Sequence, residues 1–237
     1  MKAWQEDQLH ALHSIQCEHD LFEAIVSAAR DLGFDQCAYG LRVPLPVSRP
    51  RTMMFNNYPV AWQTRYQEEN YLTIDPTVQH GMRSLIPVIW SDDLFASAHE
   101  FWEDARSFGL RYGWAQSSRD ANGVSGMLTL ARSGDPLSEA ELCDKGLKMA
   151  WLTQVAHLGM SQLLAAKLIP EAEVCLSNRE VAVLRWTAEG KTSAEISDIL
   201  NISERTVNFH IGNTIAKLNA TNKTAAVVRA LLLGMLY

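Results

Sequence analysis

Cysteine is scarce and scattered in this chain: Cys17, Cys37, Cys143 and Cys175 lie far apart and form no C-x-x-C pair. That spacing argues against a structural zinc site and a thioredoxin-like redox motif, so the four are expected to be reduced and mostly structural. Long apolar runs are missing too, and no segment reads as a membrane span. The opening Met1-Lys2-Ala3-Trp4-Gln5-Glu6-Asp7 turns acidic before the apolar core of a signal peptide could form, which points to the cytoplasm. Absent as well are a G-x-S-x-G elbow, a metal-spaced His pair and a Gly-rich phosphate loop. An acyl hydrolase using Asp75, His80 or His99 with a nearby Ser or Cys therefore has little behind it. No enzyme, cofactor or metal is expected.

What is present suits a folded protein of two domains: 237 residues, 47% hydrophobic and 20% charged. The net charge of −6 argues at first sight against a nucleic-acid partner, but it is unevenly divided. Residues 177–237 carry seven basic side chains (Arg179, Arg185, Lys191, Arg205, Lys217, Lys223, Arg229) against five acidic ones (Glu180, Glu189, Glu195, Asp198, Glu204), leaving the acidic excess to residues 1–176. A mildly basic tail on an acidic body fits a DNA reader joined to a domain that does not bind DNA.

Along the chain, residues 8–32 have apolar side chains at helical spacing and stop at Gly33, which predicts one or two helices. A strand over 34–43 leads into a loop broken by Pro44, Pro46 and Pro50, then a second strand over 52–57. Pro59 opens a helix to about residue 69, and Asp75-Pro76 caps and opens another through residue 82. A short strand over 86–90 and a helix over 100–108 follow. Strands over 113–119 and 123–132 are joined by the turn chemistry of Asp120-Ala121-Asn122-Gly123. A long amphipathic helix covers 138–166. The fold class is α+β: an α/β/α sandwich with an antiparallel sheet over 1–167, a linker over 168–175, and an all-α four-helix helix-turn-helix domain over 176–237.

In the tail, three capping patterns begin at Ser177, Thr192 and Ser203, the first two being capping boxes closed by Glu180 and Glu195. Helix, tight turn through Leu200-Asn201-Ile202, and helix is the geometry that lays its second member in the major groove. On that helix Val207, Ile211, Thr214 and Leu218 form the inward stripe. Asn and Arg suit bidentate reading of adenine and guanine, so Arg205, Asn208 and Asn213 are the base-reading candidates. Lys191, Thr192, Ser193, Lys217 and Lys223 are candidates for phosphate contacts. The plain alternative is that any of these merely forms a solvated face. Leu176-Ser177-x-Arg179-Glu180, Trp186-x-x-Glu189-Gly190-Lys191 and the run Ser203 to His210 resemble the DNA-binding domain of the LuxR family, with Glu180, Leu184 and Gly190 at its characteristic positions.

Farther forward stand Tyr58-Pro59-x-x-Trp62-x-x-x-Tyr66, Asp75-Pro76 and Trp90. Rings four apart share one helix face and are ordinarily plain core; Asp75 is in any case an excellent cap. Yet a carboxylate has two oxygens, so capping leaves room for another donor. With Phe34-x-x-Cys37-x-Tyr39-Gly40, Asp104-Ala105-x-x-x-Gly109-Leu110 and Gly126-x-Leu128-Thr129, the set resembles the sensor domain of LuxR-type quorum-sensing receptors, which bind N-acyl homoserine lactones. The resemblance implies that Trp62 donates to the lactone carbonyl and Asp75 accepts the ligand amide N–H. Tyr58 would donate to the amide carbonyl with Thr129 assisting, while Tyr66 and Trp90 pack on the ligand beside Trp102, Ala105, Leu110 and Met127. Trp114 and Met127 would set pocket depth. It further implies a homodimer on inverted-repeat promoter DNA, RNA polymerase as a further partner, usually activation, and no membrane. A receptor of this fold that answers a non-lactone molecule, or needs no ligand, is the alternative.

Overall fold

A computed structural model describes residues 15–168 and 174–236. Residues 8–14 of the expected first helix and most of the expected linker lie outside the described residues. The chain divides into two compact units. One comprises the described residues up to Arg42 with Thr52–Asp120 and Ser125–Leu164; the other comprises Val43–Arg51, Ala121–Val124 and the described residues from Ala165 onward.

Helix α1 (Glu18–Asp31) buries Leu21, Phe22, Ile25, Val26, Ala28 and Ala29 and ends where Gly33 takes a φ of 89°. Strands β1 (Gln36–Val43) and β2 (Arg51–Asn56) follow, then α2 (Val60–Glu68), a 3-10 turn (Tyr71–Thr73) and α3 (Pro76–Arg83). Strand β3 (Val88–Ile89), α4 (His99–Ser107), β4 (Tyr112–Arg119), β5 (Ser125–Arg132) and the long α5 (Glu139–Leu168) complete this part of the chain. The five strands lie in the order β2-β1-β5-β4-β3, with β1/β5, β5/β4 and β4/β3 antiparallel.

Register sets two chemically different faces, because successive side chains along a strand point to opposite sides. Tyr39, Leu128 and Ser118 lie on the α5 side: the Tyr39 hydroxyl meets His157 Nδ1 at 2.9 Å and Ser118 Oγ donates to Gln154 Oε1 at 2.8 Å. Met127, Thr129 and Ala131 point the other way, toward α3 and α4. Gly81 of α3 rests so closely on Ser117 and Met127 that a Cβ there would stand 2.9 Å from Met127 Sδ. Helices on both faces of an antiparallel sheet give the expected α/β/α sandwich.

The remaining helices are α6 (Asn178–Ala188), α7 (Ser193–Leu200), α8 (Glu204–Lys217) and α9 (Lys223–Leu232). Each starts on a polar cap. Ser177 and Thr192 form capping boxes with Glu180 and Glu195, Ser203 accepts from Thr206 N, and Asn222 accepts from Ala225 N. Asn201, at φ 51°, turns the chain between α7 and α8, a left-handed conformation that asparagine tolerates better than most side chains. Val183, Ile196 and Val207 form a small core with Trp186, Leu200, Ile202 and Ile211 packed against it. The inward stripe is as expected, with Val207, Thr214 and Leu218 fully buried.

Among the described residues no helix is long and apolar enough to cross a membrane. The cysteines are unpaired, and the expectation that they are mostly structural holds for buried Cys37 alone. Cys17, Cys143 and Cys175 are exposed, Cys143 on the outer side of α5.

Candidate functional site

The short helix α2 begins after Pro59, whose extended ψ of 134° turns the chain into its first turn. Trp62 and Tyr66, four residues apart, are its buried residues. Trp62 is only 2% exposed, and its ring lies 5.6–5.8 Å from those of Tyr66, Tyr71, Phe101 and Phe108. Tyr58 precedes the helix and is half-buried against the same cluster. From the other side come Phe101, Trp102 and Ala105 of α4, with Phe95 stacked on Trp102 at 4.2 Å and Trp90 edge-on to both. Leu110 and Ala131 close the cluster. Tyr58, Trp62, Tyr66, Trp90 and Trp102 are therefore brought together in one cluster. Tyr71, Phe95, Phe101 and Phe108 were missed; the spacing of Phe101, Ala105 and Phe108 on one helix face was the available signal.

Asp75 is the buried charge-bearing group beside this cluster, at 8% exposure. One carboxylate oxygen accepts from Thr77 N at 2.8 Å as the cap of α3, and the other accepts from the Tyr66 hydroxyl at 3.0 Å. Tyr66, expected to pack on a ligand, thus also spends its hydroxyl on Asp75. Burial pushes the Asp75 carboxyl above its ordinary value, and the bonds from Thr77 and Tyr66 pull the other way. Burial likewise holds the Tyr58 and Tyr66 hydroxyls well above the usual phenol range, with Asp75 adding to both, so they remain proton donors.

The indoles divide. Trp102 Nε1 donates to Asp92 Oδ1 at 2.7 Å, whereas Trp90 Nε1 is buried with no partner among the described residues. Trp90 lies over Gly113, where any Cβ would overlap its ring. Thr129 is buried on the sheet face that carries Met127. Trp114 is the exception. It pairs with Leu130 and so points to the opposite, α5 face, which removes it from the pocket-depth role given to it beside Met127. Asp104 ties the surrounding elements together, accepting from the Tyr71 hydroxyl at 2.5 Å and from Arg65 Nε at 2.8 Å; the same two bonds lower its pKa. An aromatic cluster around one buried carboxylate, with several N–H and O–H donors, is chemically matched to a small amphiphile carrying an amide or ester.

On the helix-turn-helix, α8 exposes Arg205 and Asn208, together with Phe209, which is 63% exposed and was not among the candidates. Asn213 is half-buried. Ser193 Oγ donates to Asn208 Oδ1 at 2.8 Å. Thr192 is engaged in its capping box and Lys191 lies 3.6 Å from Glu195. Lys217 Nζ donates to Glu180 Oε2 at 2.8 Å and Cys175 O at 3.3 Å, and Lys223 is exposed at the start of α9.

Comparison with known proteins agrees with this division. The autoinducer binding domain family matches residues 18–160, and the family described as bacterial regulatory proteins, luxR family, matches residues 174–230. The chain is 52% identical over 238 residues to the transcriptional activator protein AnoR of Acinetobacter nosocomialis, covering 100% of both. A structure of SdiA in complex with octanoyl-rac-glycerol superposes with a TM-score of 0.83 at 36% identity, covering 99% of this chain and 96% of that one. The N-acylhomoserine lactone dependent LuxR family transcription factor CepR2 of Burkholderia cenocepacia matches with a TM-score of 0.62 at 36% identity, over 69% of this chain and 98% of that one. With sensor and reader matched in order along one chain, the protein belongs to the LuxR family of quorum-sensing transcription regulators.

Proposed function

We propose that the protein binds an N-acyl homoserine lactone within the aromatic enclosure and, as a cytoplasmic homodimer, binds an inverted repeat in promoter DNA to activate transcription with RNA polymerase. Residues 1–167 act as the sensing and dimerising domain, 168–175 as linker and 176–237 as the DNA-binding domain. The observation that carries the ligand reading is the carboxylate of Asp75, buried beside the rings, with one oxygen held by the Thr77 N–H and the other by the Tyr66 hydroxyl. It takes the ligand amide N–H. Trp62 and Tyr58 donate to the lactone and amide carbonyls, Thr129 assists, and Tyr66, Trp90 and Trp102 pack around the head and the start of the acyl chain. Activation is supported by the likeness to AnoR, a transcriptional activator, and lactone binding by the likeness to CepR2, an N-acylhomoserine lactone dependent factor. Dimerisation is supported by apolar side chains left exposed on α5, Leu147 and Leu158, and on α9, Val228 and Leu231. Arg205, Asn208 and Asn213 read bases; Lys191, Thr192, Ser193, Lys217 and Lys223 contact phosphates.

One observation favours a second ligand. SdiA was solved with octanoyl-rac-glycerol, an ester without an amide, so an acylglycerol is the competing occupant. The test is expression with an equimolar mixture of acyl homoserine lactones and monoacylglycerols, followed by mass spectrometry of what co-purifies. Recovery of lactone by the wild type and not by Asp75→Ala supports the reading; recovery of acylglycerol alone replaces it.

A further inference from the structure

Ser193 is the first residue of α7, yet its side chain takes no part in capping that helix. The capping box there is closed by Thr192 and Glu195. Instead the Ser193 hydroxyl reaches across to α8 and donates to Asn208 Oδ1 at 2.8 Å. The two helices do not need this bond in order to pack, because Ile196 and Val207 with Leu200 and Ile202 already hold them together. Asn208 itself is exposed.

The bond matters for what Asn208 presents. An asparagine reads adenine by donating from Nδ2 to N7 while Oδ1 accepts from the N6 amino group. A free amide turns about its last torsion and can offer its two ends in either order. In the geometry found here the Ser193 hydroxyl donates to Oδ1, which holds the amide with its oxygen toward α7 and takes only one of that oxygen's two lone pairs, leaving the other for the base. We propose that Ser193 is a positioning residue that sets the Asn208 amide for an adenine, so that base preference at one position of each half-site depends on a side chain that touches no base. This rests on the reading above that α8 enters the major groove and that Asn208 reads a base there; it reassigns Ser193 from phosphate to Asn208.

The experiment uses the full chain expressed with N-octanoyl-homoserine lactone and octanoyl-rac-glycerol together, so that either occupant of the sensor is available. A preferred site is first selected from random duplex DNA with the wild type. Wild type, Ser193→Ala, Ser193→Thr and Asn208→Ala are then titrated against that site and against single A·T to G·C replacements at each half-site position. Asn208→Ala is expected to abolish preference at one position, a loss of roughly tenfold in the affinity ratio. Ser193→Ala should weaken preference at that same position with little effect elsewhere, and Ser193→Thr, which keeps the hydroxyl, should restore it. Uniform weakening of all duplexes by Ser193→Ala, with a shallower salt dependence, would make Ser193 a phosphate contact and overturn the proposal. Unchanged preference in Ser193→Ala overturns it too. If Asn208→Ala keeps the full pattern, what falls is the base-reading role of Asn208 itself. Thermal melting of each variant separates these outcomes from loss of fold.

Discussion

Asp75 concentrates the chemistry of the sensor in one side chain. Because burial raises its pKa in the folded state above the ordinary 3.8, its protonated form is the better tolerated one. Its contribution to stability is therefore complete below that ordinary value and is lost as pH rises through the raised one. Asp75→Asn is expected to flatten that part of the pH dependence in ligand-free protein, read from urea unfolding at stepped pH; an unaltered slope would mean that Asp75 titrates in water. Tyr66→Phe leaves the carboxylate one donor short and should cost about 1–3 kcal/mol in the same assay. No measurable cost would show that another donor replaces the hydroxyl. At this scale spacing alone gave Trp62 a shared ring face and Asp75 a helix cap, and only the family resemblance singled the two out as ligand candidates. The sequence did not show that Tyr66 donates to Asp75, since spacing reveals which face a ring occupies and not where its hydroxyl ends. Nor did it reveal the side of the sheet that Trp114 faces, because that parity depends on pairing partners far away in the chain.

Elements are held to one another by a few such groups. Glu141, in the first turn of α5, accepts from both terminal nitrogens of Arg132 on β5, at 2.9 and 2.6 Å, and from Lys145 at 2.8 Å. Arg132 foremost, then Lys145, hold its carboxyl down to about 2 from an ordinary 4.5. A depressed pKa contributes stability that is present above the ordinary value and lost as pH falls toward the folded one. Glu141→Gln should therefore lower stability at neutral pH by on the order of 2 kcal/mol and flatten the acid limb of the stability curve. Equal acid limbs in the two proteins would rule out that linkage. Gly113→Ala forces a methyl into the Trp90 ring and should destabilise by about 1–3 kcal/mol in thermal melts, whereas an unchanged melt would mean that Trp90 can move aside freely. Capped and periodic elements were readable to within a residue or two: α3 from Asp75-Pro76, α5 from its apolar stripe, α6 and α7 from their capping boxes. The 3-10 turn at Tyr71–Thr73 was not, and the strand expected over 86–90 pairs only at Val88–Ile89. Segments this short take their form from tertiary contacts more than from local propensity.

For the molecule as a whole, a ligand that completes the enclosure should stabilise it by mass action. At a hundredfold excess over its Kd a native-specific ligand adds about 2.7 kcal/mol. Scanning calorimetry of full-length protein with and without N-octanoyl-homoserine lactone is expected to show a concentration-dependent rise in Tm. A flat response to it, and to the acylglycerol, would empty the pocket of its proposed role. The two-part plan was legible because charge and capping patterns change near residue 176; the interleaving of Val43–Arg51 and Ala121–Val124 with the later residues was not, as nothing local marks it. The crowding of aromatic side chains around Trp62 has one more consequence. Six of the seven tryptophans precede residue 168, and Trp186 alone belongs to the helices that follow. Intrinsic ultraviolet emission is thus dominated by the sensing half, so a spectral shift can track occupancy while the promoter-binding half stays almost dark.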